Sequence, residues 1–222
     1  MVSAGSDQAP KGDSMSETLT APTAVKIVIA GGFGAGKTTM VGSVSEIVPL
    51  RTEEVLTEAS AGVDDLAGIE QKSTTTVALD FGRITINPQL VLYLFGTPGQ
   101  DRFWFMWNEL ARGAIGAVVI VDTRRIEASF PAIDFFENRG IPFIVTVNQF
   151  DGSIPYGAEE VRHALDIDDE VPVVVSDARN REAAKNALVE LIEYSIRRLD
   201  EAEGEAGAGD GEPVDSEVPA AQ

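Results

Sequence analysis

The chain has 222 residues, 44% of them hydrophobic, and a formal net charge of −19. That is enough for one well-buried α/β domain with tails and too little for two domains of ordinary size. The acidic balance argues against nucleic acid and anionic lipid as partners, since both need a basic face. The absence of cysteine excludes disulfides, thiolate metal sites and palmitoyl or prenyl anchors.

Residues 1–23 are polar and small-residue rich and are expected to form a disordered arm, with Met1 and Met15 both open as the natural start. Val2 stands where myristoylation needs glycine, no apolar run reaches spanning length, and no basic, apolar leader is visible, so the expected location is the cytoplasm. The run Val25–Ala30 predicts a strand. It leads into Gly31-Gly32-Phe33-Gly34-Ala35-Gly36-Lys37-Thr38, which fits the phosphate-binding pattern G-x-x-x-x-G-K-[ST]. Glycines in such a turn let successive N–H groups point at phosphates, Lys37 adds positive charge, and Thr38 offers a hydroxyl to Mg²⁺ where a helix begins.

Further strands are predicted at Thr76–Ile86 and Leu90–Phe95. Only Asn87-Pro88-Gln89 separates them, too short for a parallel crossover, so they should form an antiparallel hairpin at one edge. A helix is expected near Gln100, where Phe103, Trp107 and Leu110 share one face and Trp104 and Phe105 point elsewhere. Strands at Ala117–Val121, Phe143–Val147 and Pro172–Val175 alternate with helices beginning near Phe130, Ala158 and Arg181. The last helix shows an apolar face of Ala184, Leu188, Leu191, Ile192 and Ile196. Residues 200–222 are acidic, lack Lys and Arg, and are expected to form a disordered tail. The sum is an α/β P-loop NTPase fold over about residues 24–199, with a six-stranded mostly parallel sheet, one antiparallel edge strand and helices on both faces.

Strand three runs into Phe95-Gly96-Thr97-Pro98-Gly99-Gln100, where P-loop NTPases sense the third phosphate: a glycine N–H bonds it and a glutamine orients the attacking water. Asn148-Gln149-Phe150-Asp151 and Ser176-Asp177-Ala178-Arg179 each follow an apolar strand. Taken in this order and spacing, with Thr76 before them, the motifs resemble the Ras-like small GTPases. The resemblance is to their bacterial branch of gliding-motility MglA-type GTPases and actinobacterial conservon GTPases.

That resemblance implies GTP/GDP and Mg²⁺ as ligands. Gly31, Gly32, Phe33, Gly34, Ala35, Gly36, Lys37, Thr38 and Thr39 would cradle the phosphates, with Gly99 on the third phosphate and Gln100 placing the water. Thr38 and Thr76 would hold the metal, with Thr74 and Thr75 as alternatives to Thr76. Asn148, Gln149, Asp151, Asp177, Ala178 and Arg179 would surround the base. A carboxylate at Asp151 accepts from both the ring N–H and the amine of guanine, whereas adenine offers no matching donor pair. Ala178 would turn its N–H to the guanine oxygen.

Three positions depart from the family pattern. Gly96 replaces the aspartate that holds a water on the metal, and Gln149 and Arg179 each replace a lysine. Pro98 stiffens the loop, and slow hydrolysis follows, with the stabilising arginine coming from a partner or in cis from Arg51 or Arg102. Asp122 reads as a turn or cap residue and His163 as a surface residue. The leading expectation is a slowly hydrolysing GTP switch; the competing one is a non-hydrolysing guanine-nucleotide scaffold. By resemblance its partners include a roadblock-type regulator and a sensor-kinase-like membrane protein, which would bring the chain to a membrane without a lipid anchor or direct insertion.

Overall fold

The computed structural model describes residues 21–57, 74–99 and 101–208, with side chains described over 21–50, 79–99 and 103–204. The elements run β1 (Thr23–Gly31), α1 (Lys37–Val44), β2 (Leu50–Thr57), β3 (Thr74–Asn87), β4 (Leu90–Gly96), α2 (Trp107–Ala111), β5 (Ala114–Val121), α3 (Phe130–Glu137), β6 (Phe143–Asn148), α4 (Ala158–Leu165), β7 (Val173–Ser176) and α5 (Arg181–Ala208). The strands form one sheet in the order β2-β3-β4-β1-β5-β6-β7.

Side chains alternate between the two faces of a strand, and here both faces are buried. Ile27 and Ile29 of β1 join Val118, Ile120 and Ile144 in a core closed by α1 and α5. Val28 and Ala30 of the same strand join Val119, Val121 and Val145 in a second core closed by α2, α3 and α4. Strand β1 lies between β4 and β5, parallel to both. The chain therefore leaves the sheet in opposite directions on either side of β1, and the crevice at its carboxyl end is where such sheets bind ligands. The sequence Gly31–Thr38 begins at that end.

The six expected strands all form, and the expected hairpin joins β3 to β4 antiparallel. The Oδ1 of Asn87 accepts the Gln89 N–H at 2.8 Å to tie its turn. A seventh strand, β2, pairs antiparallel outside β3, so β3 lies one place in from the edge. Leu-Arg-Thr-Glu-Glu-Val-Leu-Thr lacks the apolar alternation that announces a strand, and charged edge strands are how sheets resist further pairing.

The helix expected near Gln100 opens with a 3₁₀ segment, Asp101–Met106, and only Trp107–Ala111 is α-helical. Phe103 and Trp107 are buried as the spacing implies, and Trp104 and Phe105 are exposed, with the ring of Trp104 stacked 5.4 Å from Trp107. In α5 the core face is Ala184, Ala187, Leu188, Leu191, Tyr194 and Ser195, whereas Ile196 is exposed. At about 100° per residue, Ile196 lies roughly 140° round the helix from Leu191. Helix α5 also continues to Ala208, so Asp200, Glu201 and Glu203 are helical where the sequence suggested the start of a tail. The favourable packing of its earlier turns nucleates a helix that a solvated acidic segment can prolong. The arm 1–20, Gln100 and the tail 209–222 lie outside the described residues.

Candidate nucleotide site

The turn after β1 is built as its glycines require. Gly36 sits at φ 115°, a left-handed conformation, and a Cβ there would meet Asn148 Nδ2 at 2.6 Å, so only glycine fits. Lys37 is 8% exposed. Its Nζ donates to the carbonyls of Gly31 and Gly32 at 2.8 and 2.7 Å. Burial pushes its pKa down to about 8, with the charge of Asp80 pulling the other way. A bound anion would favour the ammonium form of this buried lysine under its glycine-rich turn.

Two polar clamps hold the turn. Asn148, 6% exposed at the end of β6, donates from Nδ2 to the Ala35 carbonyl at 2.9 Å and accepts the Ala178 N–H at its Oδ1 at 2.9 Å. It thus ties the phosphate loop to the loop after β7, and the Ala178 N–H expected to face a guanine oxygen is directed at Asn148 instead. On the other flank Arg125 donates from Nη2 to the Phe33 carbonyl at 2.7 Å. Arg124 and Arg125 both pair with Asp122, at 2.8 and 3.4 Å, and Asp122 also accepts the Arg124 N–H, so it caps the segment after β5 as expected. Those arginine contacts, first the Arg124 hydrogen bond, hold the Asp122 carboxyl below its usual range.

Gly34, Gly36, Thr39, Arg124, Asn148, Gln149, Phe150, Asp151, Asp177, Ala178 and Arg179 line a cleft of about 330 Å³. The glycine-rich turn and the two motifs expected to face a base therefore share one cavity although they are more than a hundred residues apart in sequence. The guanidinium of Arg124 lies 3.7 Å over the Phe150 ring, forming one wall. Asp151, Asp177 and Arg179 interlock at the mouth: Arg179 donates from Nη1 and Nη2 to the two oxygens of Asp151 at 2.7 and 3.0 Å, and from Nε to Asp177 Oδ1 at 2.9 Å. These contacts hold both carboxyls below their usual range. Gln149 is exposed beside them.

At the opposite end Gly99 packs onto the phosphate loop, since a Cβ there would lie 2.7 Å from Lys37 Nζ and 3.0 Å from the Phe33 nitrogen. Thr74, Thr75 and Thr76 all lie in β3, opposite Thr57, Leu56 and Val55. Arg51 lies in β2 opposite Asp80. The side chains of these residues and of Arg102, and the whole of Gln100, lie outside the described residues. His163 is exposed on α4.

In the sequence Asp80 reads only as part of the pattern Thr76-Val77-Ala78-Leu79-Asp80-Phe81, similar to the family's Thr-x-x-x-Asp-Phe, with no role of its own. This buried carboxylate, 8% exposed, accepts the Thr38 hydroxyl at its Oδ2 at 2.5 Å. It stands in register with Gly96 on the neighbouring strand, and a Cβ at Gly96 would lie 3.0 Å from Asp80 Cβ and 3.2 Å from Oδ2. The space that an aspartate at 96 would need is filled by the aspartate at 80. The signal was present: the one carboxylate in β3, in the chain that lacks one at 96. Among the described residues no group of three or more His, Cys, Asp or Glu side chains could hold a metal alone.

Fold and site together define a nucleotide-binding P-loop domain with the architecture of a GTPase G domain. The chain belongs to the family described as "conserved hypothetical ATP binding protein", which it matches over residues 29–198. An uncharacterized protein of Methanocaldococcus jannaschii is 30% identical over 129 residues, 57% of this chain and 71% of that protein. A probable translation initiation factor IF-2 of Thermofilum pendens is 29% identical over 191 residues, 84% of this chain but only 29% of the factor. Among solved structures, the G domain of the T. maritima FeoB iron transporter superposes with a TM-score of 0.54 at 17% identity, covering 78% of this chain and 99% of that one. The cytosolic domain of the same transporter in a GDP form gives 0.55 at 17% identity, covering 78% and 64%. At such identity the likeness is one of fold. No helix among the described residues is long and apolar enough to cross a membrane.

Proposed function

We propose that this chain is a guanine-nucleotide switch of the Ras-like kind, in the branch resembling MglA-type and conservon GTPases, which binds GTP with Mg²⁺ and hydrolyses it slowly to GDP. The observation that carries this reading is the single cleft joining the phosphate loop to Asn148, Asp151 and Ala178. Its far end carries the Asp151 carboxylate, whose two oxygens would suit the paired donors of guanine. The family description favours adenine. Adenine would set its ring-nitrogen acceptor against Asp151, leaving a charged group unmatched, and that is why guanine is preferred here.

The donor set beside Lys37 fits a hard divalent cation: a threonine hydroxyl at Thr38 with a buried carboxylate, Asp80, directly behind it. A magnesium ion bound there with nucleotide would neutralise charge on the outer phosphates. Thr38, with Thr76 or its neighbours Thr74 and Thr75, would hold it. Asp80 would do from β3 what the family's aspartate does from position 96. Lys37 would turn from the carbonyls of Gly31 and Gly32 to the phosphates, Gly99 would offer its N–H to the third phosphate, and Gln100 would orient water. The domain would span about residues 24–199, with regulators or effectors reading the two switch regions, including roadblock-type and sensor-kinase-like proteins.

The test is competition of unlabelled GTP and ATP for the site, followed by single-turnover hydrolysis with the wild type and Gln100→Leu. Guanine preference with hydrolysis lost in the variant is expected. Equal competition by ATP refutes the base assignment, and binding without turnover in the wild type favours the scaffold.

A further inference from the structure

The two oxygens of Asp151 accept from two nitrogens of one guanidinium. Arg179 Nη1 lies 2.7 Å from Oδ2 and Nη2 lies 3.0 Å from Oδ1. The edge of guanine that a carboxylate reads is also a pair of parallel N–H donors, the ring N–H and the exocyclic amine. Both sets are pairs of parallel donors that bridge the two oxygens, and a carboxylate has one such bridging face, so they cannot both be seated on it. We infer that Arg179 is an intramolecular competitor for the base, filling on Asp151 the positions that guanine would take and setting how readily the nucleotide enters. This rests on the reading of Asp151 as the guanine-specific carboxylate.

Asp177 makes the arrangement a pivot rather than a plug. It accepts from Arg179 Nε at 2.9 Å at its Oδ1, and from Nη2 at 2.8 Å at its Oδ2, and it also accepts the Arg179 backbone N–H at 2.9 Å. When the terminal nitrogens leave Asp151, the inner part of the guanidinium stays tethered at the cleft mouth. A planar guanidinium held there suits the face of an incoming ring. A lysine at 179 would have neither the fork to mimic guanine nor the Nε to stay tethered.

The size of the effect follows from exposure. The Arg179 and Asp151 side chains are 54% and 87% exposed, and exposed ion pairs favour the closed form by a ratio of about 1.4 to 5. Only the fraction with Asp151 released captures the base, so association is slowed about two- to sixfold. The loss falls on the association rate, because the pair is broken before the base is seated. A contact of Arg179 with the seated base would appear separately, in the dissociation rate.

The experiment is stopped-flow association and dissociation of fluorescent GDP with the full chain, comparing wild type, Arg179→Ala and Arg179→Lys. Arg179→Ala should associate about two- to sixfold faster, and Arg179→Lys should also gain although it keeps the charge that attracts an anionic ligand. A gain in the lysine variant therefore reports loss of the fork and not altered steering. If neither variant associates faster than wild type while GDP still displaces the probe far better than ADP, the competitor role is overturned and the guanine reading stands. If ADP displaces the probe as well as GDP does, the guanine reading falls and the inference with it.

Discussion

Asp80 offers the sharpest test of the proposed site, because it should serve the metal in place of an aspartate that position 96 lacks. Asp80→Asn keeps the shape of the side chain and its contact with the Thr38 hydroxyl but removes the charge. Loss of a group that orients a metal's ligands costs about 10- to 100-fold in metal affinity, and the same factor should appear in how far magnesium slows nucleotide release. In the absence of magnesium, removing a negative charge beside the phosphates should leave affinity unchanged or improved. The assay is dissociation of fluorescent GDP with magnesium and with chelator, alongside thermal unfolding to show that each variant folds. Gly96→Asp alone brings a second carboxylate onto Asp80, since its Cβ would lie 3.0 Å from Asp80 Cβ. At about 4 Å two like charges repel by roughly 1 kcal/mol in bulk water and roughly 4 kcal/mol near a protein surface. Moving the carboxylate, with Asp80→Gly and Gly96→Asp together, should recover part of the magnesium effect. An Asp80→Asn protein whose nucleotide release magnesium slows as strongly as in the wild type would refute the assignment.

Lys37→Ala should weaken GTP and GDP binding by at least about 100-fold, measured by fluorescence titration, because it removes the charge beneath the phosphates. The pKa of Lys37, lowered to about 8 by burial, makes binding without added magnesium take up protons. Calorimetry at pH 8 in buffers of different ionisation enthalpy should read net proton uptake, and the unliganded fold should gain stability from pH 8 towards 10.5 as the unfolded chain becomes the form that holds the proton. Proton release at pH 8 would contradict this. Asp151→Asn should shift preference from guanosine to xanthosine nucleotides, because an amide donates to the oxygen that replaces guanine's amine; unchanged GTP affinity would mean that Asp151 does not read the base. Hydrolysis by the isolated chain should be slow and rise with cell extract, as a missing arginine costs on the order of 10³ to 10⁵ in rate. A fast rate abolished by Arg51→Ala or Arg102→Ala would place that arginine in cis.

What the sequence made legible was what local chemistry dictates. Gly31–Thr38 announced itself because phosphate cradles need glycine, lysine and threonine at fixed spacing, and the β1 pattern placed it at the end of a buried strand. The hairpin of β3 and β4 followed from a connection too short to cross the sheet. Strand β2 was not legible, because its residues are charged and its pairing depends on a partner strand the sequence does not name. Ile196 was assigned to the core of α5 from apolarity, whereas helical phase gives the position to Tyr194 and Ser195. Asp80 escaped because its role comes from register across two strands, and a one-dimensional reading of Gly96 records only the loss of a carboxylate. The tie from Asn148 to Ala35 and Ala178 escaped for the same reason: a base-facing role was read from the motif, while its partners come from two distant loops.

Placing the carboxylate at 80 instead of 96 changes what the metal would be coupled to. Position 96 is the last residue of β4, so an aspartate there would stand one peptide bond before the second switch loop. Asp80 is buried within a strand and is held by the ladder that pairs it with Gly96, while the chain leaves the sheet only at Thr97. On the proposed reading, the metal shell would be anchored to the sheet, and sensing of the third phosphate by the second switch would fall to Gly99, which already lies against Lys37 and Phe33. The carboxylate behind the metal would then stand in the middle of β3, and the third phosphate would be read by Gly99, three residues beyond the end of β4. Such a division lets the second switch rearrange, or be held by a partner, without releasing the cation that keeps the nucleotide in place.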